Sequence, residues 1–175
     1  MKPVKMIIIC GYPGVGKTTI ADKLAMKLGY ILLNVDDIWD FISLSIVSEN
    51  NDRGKIAYTV LQNLIMRQIS LGNSVIVDVP FTHNWLREAL FSIAKEYHAE
   101  IHIIYCYCSD DIAIKRNLER IQLDPKRFSE RDVANFYRIK QNYVSIDGIV
   151  NIKINTEDEP IKNVKKIIEY LEQKN

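Results

Sequence analysis

The chain has 175 residues, 23 basic and 22 acidic side chains, a net charge of +1 and 47% hydrophobic residues. That is the size of one ordinary domain with enough apolar side chain for a core, and its balanced charge gives no global field for holding nucleic acid. No run of 18 or more apolar residues occurs, and the apolar stretch before Gly11 is too short for a signal peptide, so no membrane span is expected and the cytosol is the expected location.

Apolar runs and helical stripes alternate along the chain, the pattern of an α/β domain. Val4–Cys10 reads as a strand covered on both faces. Lys17–Leu28 follows as a helix stopped by Gly29, then Ile31–Val35 as a short strand, and Asp36–Val47 and Gly54–Leu71 as helices. Ser74–Val79 is a third strand, stopped by Pro80. Asn84–Tyr97 reads as a helix, Glu100–Tyr107 as a strand, and Asp110–Ile121 as a helix with Asp110 a candidate cap. Leu123–Phe128 reads as a polar loop, and Ser129-Glu130-Arg131-Asp132 resembles a capping box opening a helix to about Tyr143. Ile149–Ile154 and Pro160–Leu171 supply the last strand and helix. Five strands with intervening helices predict one three-layer domain, 1–175, around a parallel sheet. Cys10, Cys106 and Cys108 lack zinc-like spacing and are expected to fill the core.

Between the first strand and first helix lies Gly11-Tyr-Pro13-Gly14-Val15-Gly16-Lys17-Thr18-Thr19, a full G-x-x-x-x-G-K-[ST] pattern. Its glycines let backbone N–H groups turn inward around an anion, and the new helix adds its positive end. Lys17 is expected on the β- and γ-phosphates and the Thr18 hydroxyl on Mg2+, which together predict ATP-Mg2+ as the cofactor.

Ligands of a parallel sheet lie beyond the carboxyl ends of its strands. Asp36 and Asp37 follow the second strand, so Asp36 is a candidate base for an attacking hydroxyl, with helix capping as the plainer role, and Asp37 a cap or secondary ligand. Asp78 ends the third strand as a candidate carboxylate towards Mg2+ or for orienting acceptor and base, with a bond to a neighbouring loop as the plainer role. Phe81, Thr82 and His83 are expected to face the same crevice. Arg116 and Arg120 stand at i, i+4 and share a helix face, from which both could close over the transferring phosphoryl group. With Arg127 they outline a short lid near 116–128.

The order Gly-x-Pro-Gly-x-Gly-Lys-Thr-Thr, Ala21-Asp-Lys-Leu-Ala25, Asp36-Asp37, Val-Ile-Val-Asp78 and Lys-Arg116-x-x-x-Arg120 resembles the small AAA-type ATP-binding P-loop kinases. Their relatives are the kinase domain of polynucleotide kinase, zeta toxins, chloramphenicol phosphotransferase and, more remotely, gluconate, shikimate and adenylate kinases. The resemblance implies a five-stranded parallel sheet of order 2-3-1-4-5. It also puts Asp36 at the general-base position and Arg120 at the lid-arginine position of polynucleotide kinase. That enzyme carries an arginine where this chain has Ile38-Trp39, which argues against nucleic-acid ends; an apolar or aromatic acceptor pocket using Trp39, Phe41 or Phe81 is an alternative, with plain core packing the simpler role for each of the three. The resulting expectation is γ-phosphate transfer to the hydroxyl of a small molecule. The alternatives are a nucleoside monophosphate kinase, for which Arg53 and Arg87 are the obvious extra arginines, and a slow or non-catalytic nucleotide-binding regulatory module. Backbone near Asn155–Glu157 is the expected reader of the base.

Overall fold

The computed structural model describes residues 3–45, 53–124, 130–141 and 145–174. Every residue of β1 (Lys5–Cys10) is buried, because a central parallel strand has a helical layer on each side. Its side chains alternate between the two layers. Met6, Ile8 and Cys10 join a core with Leu61, Ile65, Leu86 and Leu90, whereas Ile7 and Ile9 join a second core with Ile20, Leu24, Ile167 and Leu171.

The helices contributing those residues are α3 (Arg53–Ser70) and α4 (Asn84–Glu96) on one face, and α1 (Lys17–Leu28) and α7 (Pro160–Gln173) on the other. Between them β2 (Ile31–Asn34), β3 (Val75–Asp78), β1, β4 (Glu100–Tyr107) and β5 (Ile152–Asn155) form an all-parallel sheet of order β2-β3-β1-β4-β5. The expected class and strand order are therefore present. Helix α2 (Val35–Ser45) packs on α3, and α5 (Asp110–Leu123) on α6 (Glu130–Gln141).

Most element boundaries fall within one or two residues of expectation, and three of the differences bear on the site. Strand β2 stops at Asn34, whose side-chain oxygen accepts the Asp36 N–H at 2.8 Å and turns the chain into α2. Helix α5 continues two residues past Ile121 to Leu123. Strand β5 begins three residues late because Ile149 and Val150 close a turn onto the Ile146 carbonyl. Cys10 and Cys106 are buried in the core as expected, and burial pushes the Cys106 thiol up to about 12.

The loop after β1 passes so close to β4 that only glycine fits. Gly11 has φ +142°, and an added Cβ would lie 2.2 Å from the Cys106 carbonyl oxygen. Gly29, which ends α1, also has positive φ (+67°) but open space around it. Gly29→Ala is expected to cost about 1 kcal/mol, the backbone penalty alone. Gly11→Ala, adding a clash with backbone, should cost roughly 2–3 kcal/mol. Urea unfolding midpoints of the two variants test this, and equal losses would remove the close approach as the cause.

Candidate functional site

The loop from Gly11 to Gly16 turns sharply on three positive-φ glycines, Gly11, Gly14 and Gly16. Gly14 is wedged against α5, where a Cβ would stand 2.4 Å from the Ala113 carbonyl oxygen and 2.7 Å from Asn117 Nδ2. Val15 is buried as an anchor, and its carbonyl accepts the Thr156 hydroxyl. Gly16 caps α1 with no side-chain hydrogen bond, and the first turn carries no acid. The helix thus presents its positive end to the loop. Lys17 Nζ donates to the Tyr12 carbonyl at 3.1 Å, holding the ammonium against the loop it is expected to serve.

A crevice of about 690 Å3 opens beside this loop. Pro13, Gly14, Gly16, Lys17 and Thr18 form one side. Asp22 of α1 and Asp36, Asp37, Trp39 and Asp40 of α2 form another. Arg120 of α5 and Arg138 of α6 complete the lining.

At its floor Thr18 Oγ1 donates to Asp78 Oδ2 at 2.7 Å, and Asn34 Nδ2 donates to the same oxygen at 3.1 Å. The second oxygen, Oδ1, is buried with no hydrogen-bond partner. An orphaned carboxylate oxygen beside a P-loop threonine hydroxyl is a donor set of hard oxygens, which fits Mg2+. Burial pushes the Asp78 carboxyl up; Lys17 and the Thr18 hydrogen bond pull it down, and Asp36 and Asp22 push it further up. Crowding recurs at the rim, where burial and the Asp37 charge raise Asp22.

Asp36 stands where two spaces meet. It lines the P-loop crevice and also a second space of about 600 Å3, whose lining includes Trp39, Tyr58, Thr82, His83 and Arg138. His83 stacks on Trp85 at 5.7 Å and 15°. Tyr58 stands edge-on to His83 at 6.3 Å and to Trp85 at 5.3 Å.

Two expected site residues are elsewhere. Phe81 does not face the crevice: it has φ +59° and is fully buried in the core on the α3–α4 side, with the Arg87 guanidinium 5.6 Å from its ring. The turn after Pro80 sends this large apolar ring inward, where burial rewards it. Arg116 does not share the P-loop crevice with Arg120. Its guanidinium donates to the Thr156 hydroxyl at 3.2 Å and to the Thr156 carbonyl at 2.9 Å. Thr156 lies within the Asn155–Glu157 segment, and it lines with Gly16, Thr19, Arg116 and Arg120 a second groove of about 290 Å3, which shares Gly16 and Arg120 with the crevice.

Phe41, 68% exposed, lies outside both linings. Arg87 is buried, and its Nε donates to the Phe81 carbonyl at 3.0 Å, so it is structural. Arg127 and the lid segment 125–128 lie outside the described residues, as does the Arg53 side chain.

Asn34, Tyr58 and Arg138 belong to no motif. The signal for Asn34 was its place two residues before Asp36 at a strand end. Tyr58 and Arg138 are brought in by helix packing alone.

Because its folded-state carboxyl is raised above the unfolded value, Asp78 takes up a proton on folding between those two values. Its charge therefore weakens the fold as pH rises through that window. Asp78→Asn is expected to raise the melting temperature of the ligand-free protein at pH 7, with the gain shrinking as pH falls. A lower melting temperature at both pH values would show that the charge is a net structural asset.

Residues 6–145 match the family described as AAA domain. Cytidylate kinase from Saccharolobus islandicus is 30% identical over 93% of this chain and 88% of its own length. L-seryl-tRNA(Sec) kinase from Methanococcus maripaludis is 27% identical over 97% of this chain and 67% of its own. A solved Chloroflexus aurantiacus protein, provisionally described as a kinase, shares the fold with a TM-score of 0.78 at 21% identity, over 97% of this chain and 99% of that one. With its P-loop, its 2-3-1-4-5 sheet and these kinase relatives, the chain belongs to the AAA-domain family of small P-loop kinases and is an ATP-dependent phosphotransferase.

Proposed function

We propose that the chain transfers the γ-phosphate of ATP to the hydroxyl of a small acceptor, with Asp36 as the base. The observation that carries this reading is the position of Asp36, at the junction of a space lined by Lys17 and Thr18 and a space lined by aromatic side chains. The phosphates lie along the loop N–H groups, with Lys17 swinging from the Tyr12 carbonyl onto the β- and γ-phosphates. Thr18 and Asp78 hold Mg2+, which when bound neutralises charge building on the phosphate oxygens. Asp36 takes the proton of the acceptor hydroxyl as its oxygen attacks phosphorus; the bond to the ADP oxygen breaks and ADP leaves. Arg120, and Arg138 from α6, supply positive charge across the crevice. Arg116 acts at the base end of the nucleotide, next to Thr19 and Thr156. In this reading residues 1–175 work as a single kinase domain, and the α5 end bearing Arg120 is the described part of its lid.

A second reading, phosphorylation of a nucleoside monophosphate, is favoured by the similarity to cytidylate kinase. The crevice supports it less well. Four accessible carboxylates, Asp22, Asp36, Asp37 and Asp40, outnumber Lys17, Arg120 and Arg138 along the crevice, and Arg87 is committed to the Phe81 carbonyl. A phosphate acceptor would meet repulsion there.

With an acceptor in hand, Asp36→Asn should keep ATP affinity within about twofold and lower kcat by 100- to 10,000-fold, whereas Lys17→Ala should lose transfer outright. Transfer at the wild-type rate in Asp36→Asn excludes it as the base. A second test follows from ligand linkage: Mg2+-ATP at a hundred times its Kd should stabilise the wild type by about 2.7 kcal/mol, and chelating Mg2+ or introducing Asp78→Asn should remove most of that gain.

A further inference from the structure

The space beyond Asp36 has a chemical character that narrows the acceptor. Trp39 comes from α2, and its ring rests over Gly54 of α3, where an added Cβ would meet Cζ3 at 3.5 Å. Braced in this way, the indole remains 41% exposed on the lining. Tyr58 and His83 present two more rings, and Trp85 backs His83 as a parallel stack. An edge-and-face cluster of this kind offers flat surfaces and ring edges, the surroundings in which a planar ring packs best.

The polar groups are few. Asp36 and Arg138 are the charged residues of this space, and Thr82 adds a hydroxyl. Among the described residues the Tyr58 hydroxyl has no hydrogen-bond partner, although the side chain is partly buried and lines the space. Buried tyrosine hydroxyls normally find a partner. Burial, with a smaller push from the Asp36 charge, raises this phenol to about 12, so it stays a donor and acceptor throughout the neutral range. This hydroxyl is open to the space and not sealed in the core, so it is free to bond a ligand atom there. The volume of about 600 Å3 suits a nucleoside-sized molecule.

We propose that the acceptor is a compound with a planar ring and a hydroxyl on a short arm, carrying no phosphate of its own. The ring packs against Trp39 and the Tyr58–His83 pair, the Tyr58 hydroxyl bonds a polar atom of the ligand, and the arm places its hydroxyl at Asp36. This identification rests on the hydroxyl-kinase reading for its outcome, but ring binding is measurable without catalysis.

Both tryptophans of the chain, Trp39 and Trp85, belong to this aromatic cluster. Cytidine, thymidine, 2-phenylethanol, glycerol, gluconate and CMP would be titrated with tryptophan fluorescence as the readout, and each assayed for label transfer from γ-labelled ATP. At least one ring alcohol is expected to change the fluorescence saturably and to accept label. Its binding should persist in Lys17→Ala, and weaken about tenfold in Trp39→Ala with Trp85 as reporter. Tyr58→Phe, which keeps the ring, should raise KM several-fold. Transfer to glycerol or gluconate without any response to ring compounds overturns the ring proposal and leaves the hydroxyl-kinase reading standing. Tighter binding and faster transfer with CMP than with cytidine overturns the absence of a phosphate and favours the monophosphate reading. Saturable ring binding without transfer to any acceptor supports the ring subsite and sinks the kinase mechanism instead. Silence in both assays overturns both.

Discussion

The Asp78 carboxylate joins the parts of this site. One of its oxygens accepts from Thr18 on α1 and from Asn34 at the end of β2, while the Asn34 side-chain oxygen Oδ1 accepts the backbone N–H of Asp36. A phosphate-binding helix, a strand and the helix bearing the candidate base are thereby tied to one buried oxygen. The sheet order makes the knot possible. Asn34 and Asp78 are register partners on neighbouring parallel strands, and Asp78 also pairs with Ile9, two residues before Gly11. Parallel strands of equal reach bring their carboxyl ends to one level, so the three functions arrive together.

That knot is costly without ligand. A carboxylate oxygen left buried and unbonded loses its hydration, and the neighbouring Asp36 and Asp22 charges raise the cost. Lys17 offsets part of it, yet Lys17 is itself turned towards the Tyr12 carbonyl. Such unsatisfied polarity is typical where stability is given up for function. A divalent cation held at the Thr18–Asp78 corner, as proposed above, would relieve the orphaned oxygen and the mutual repulsion together.

Legibility in the sequence followed the range of the interaction. The phosphate loop was readable because its demands are local: positive-φ glycines, a lysine and a threonine at fixed spacing between strand and helix. Asp36 and Asp78 were readable because strand ends in a parallel sheet face one crevice. Arg116 was half readable. Its helical phase with Arg120 was correct, but its tie to Thr156, forty residues further on, depends on how β5 and α7 approach the loop. Phe81 failed because alternation along a strand does not survive Pro80 and a positive-φ residue. Tyr58 and Arg138 left no local trace, since α3 and α6 reach the crevice only through tertiary packing.

The same contrast separates the local chemistry of the loop from the identity of the acceptor. Nucleotide binding uses backbone and residues within a few positions of each other, so many chains of this architecture satisfy it with different sequences. The acceptor space is assembled from α2, α3, the turn before α4 and α6, four elements whose only shared requirement is to frame Asp36. Side chains there are under no demand from the phosphate loop, so a change at Trp39 on α2 could alter what is bound while leaving Lys17, Thr18 and Asp78 where they are. The relatives named cytidylate kinase and seryl-tRNA(Sec) kinase differ in the acceptor their names state, and in the reading proposed above the aromatic lining around Asp36 is where this chain's own specificity would be set.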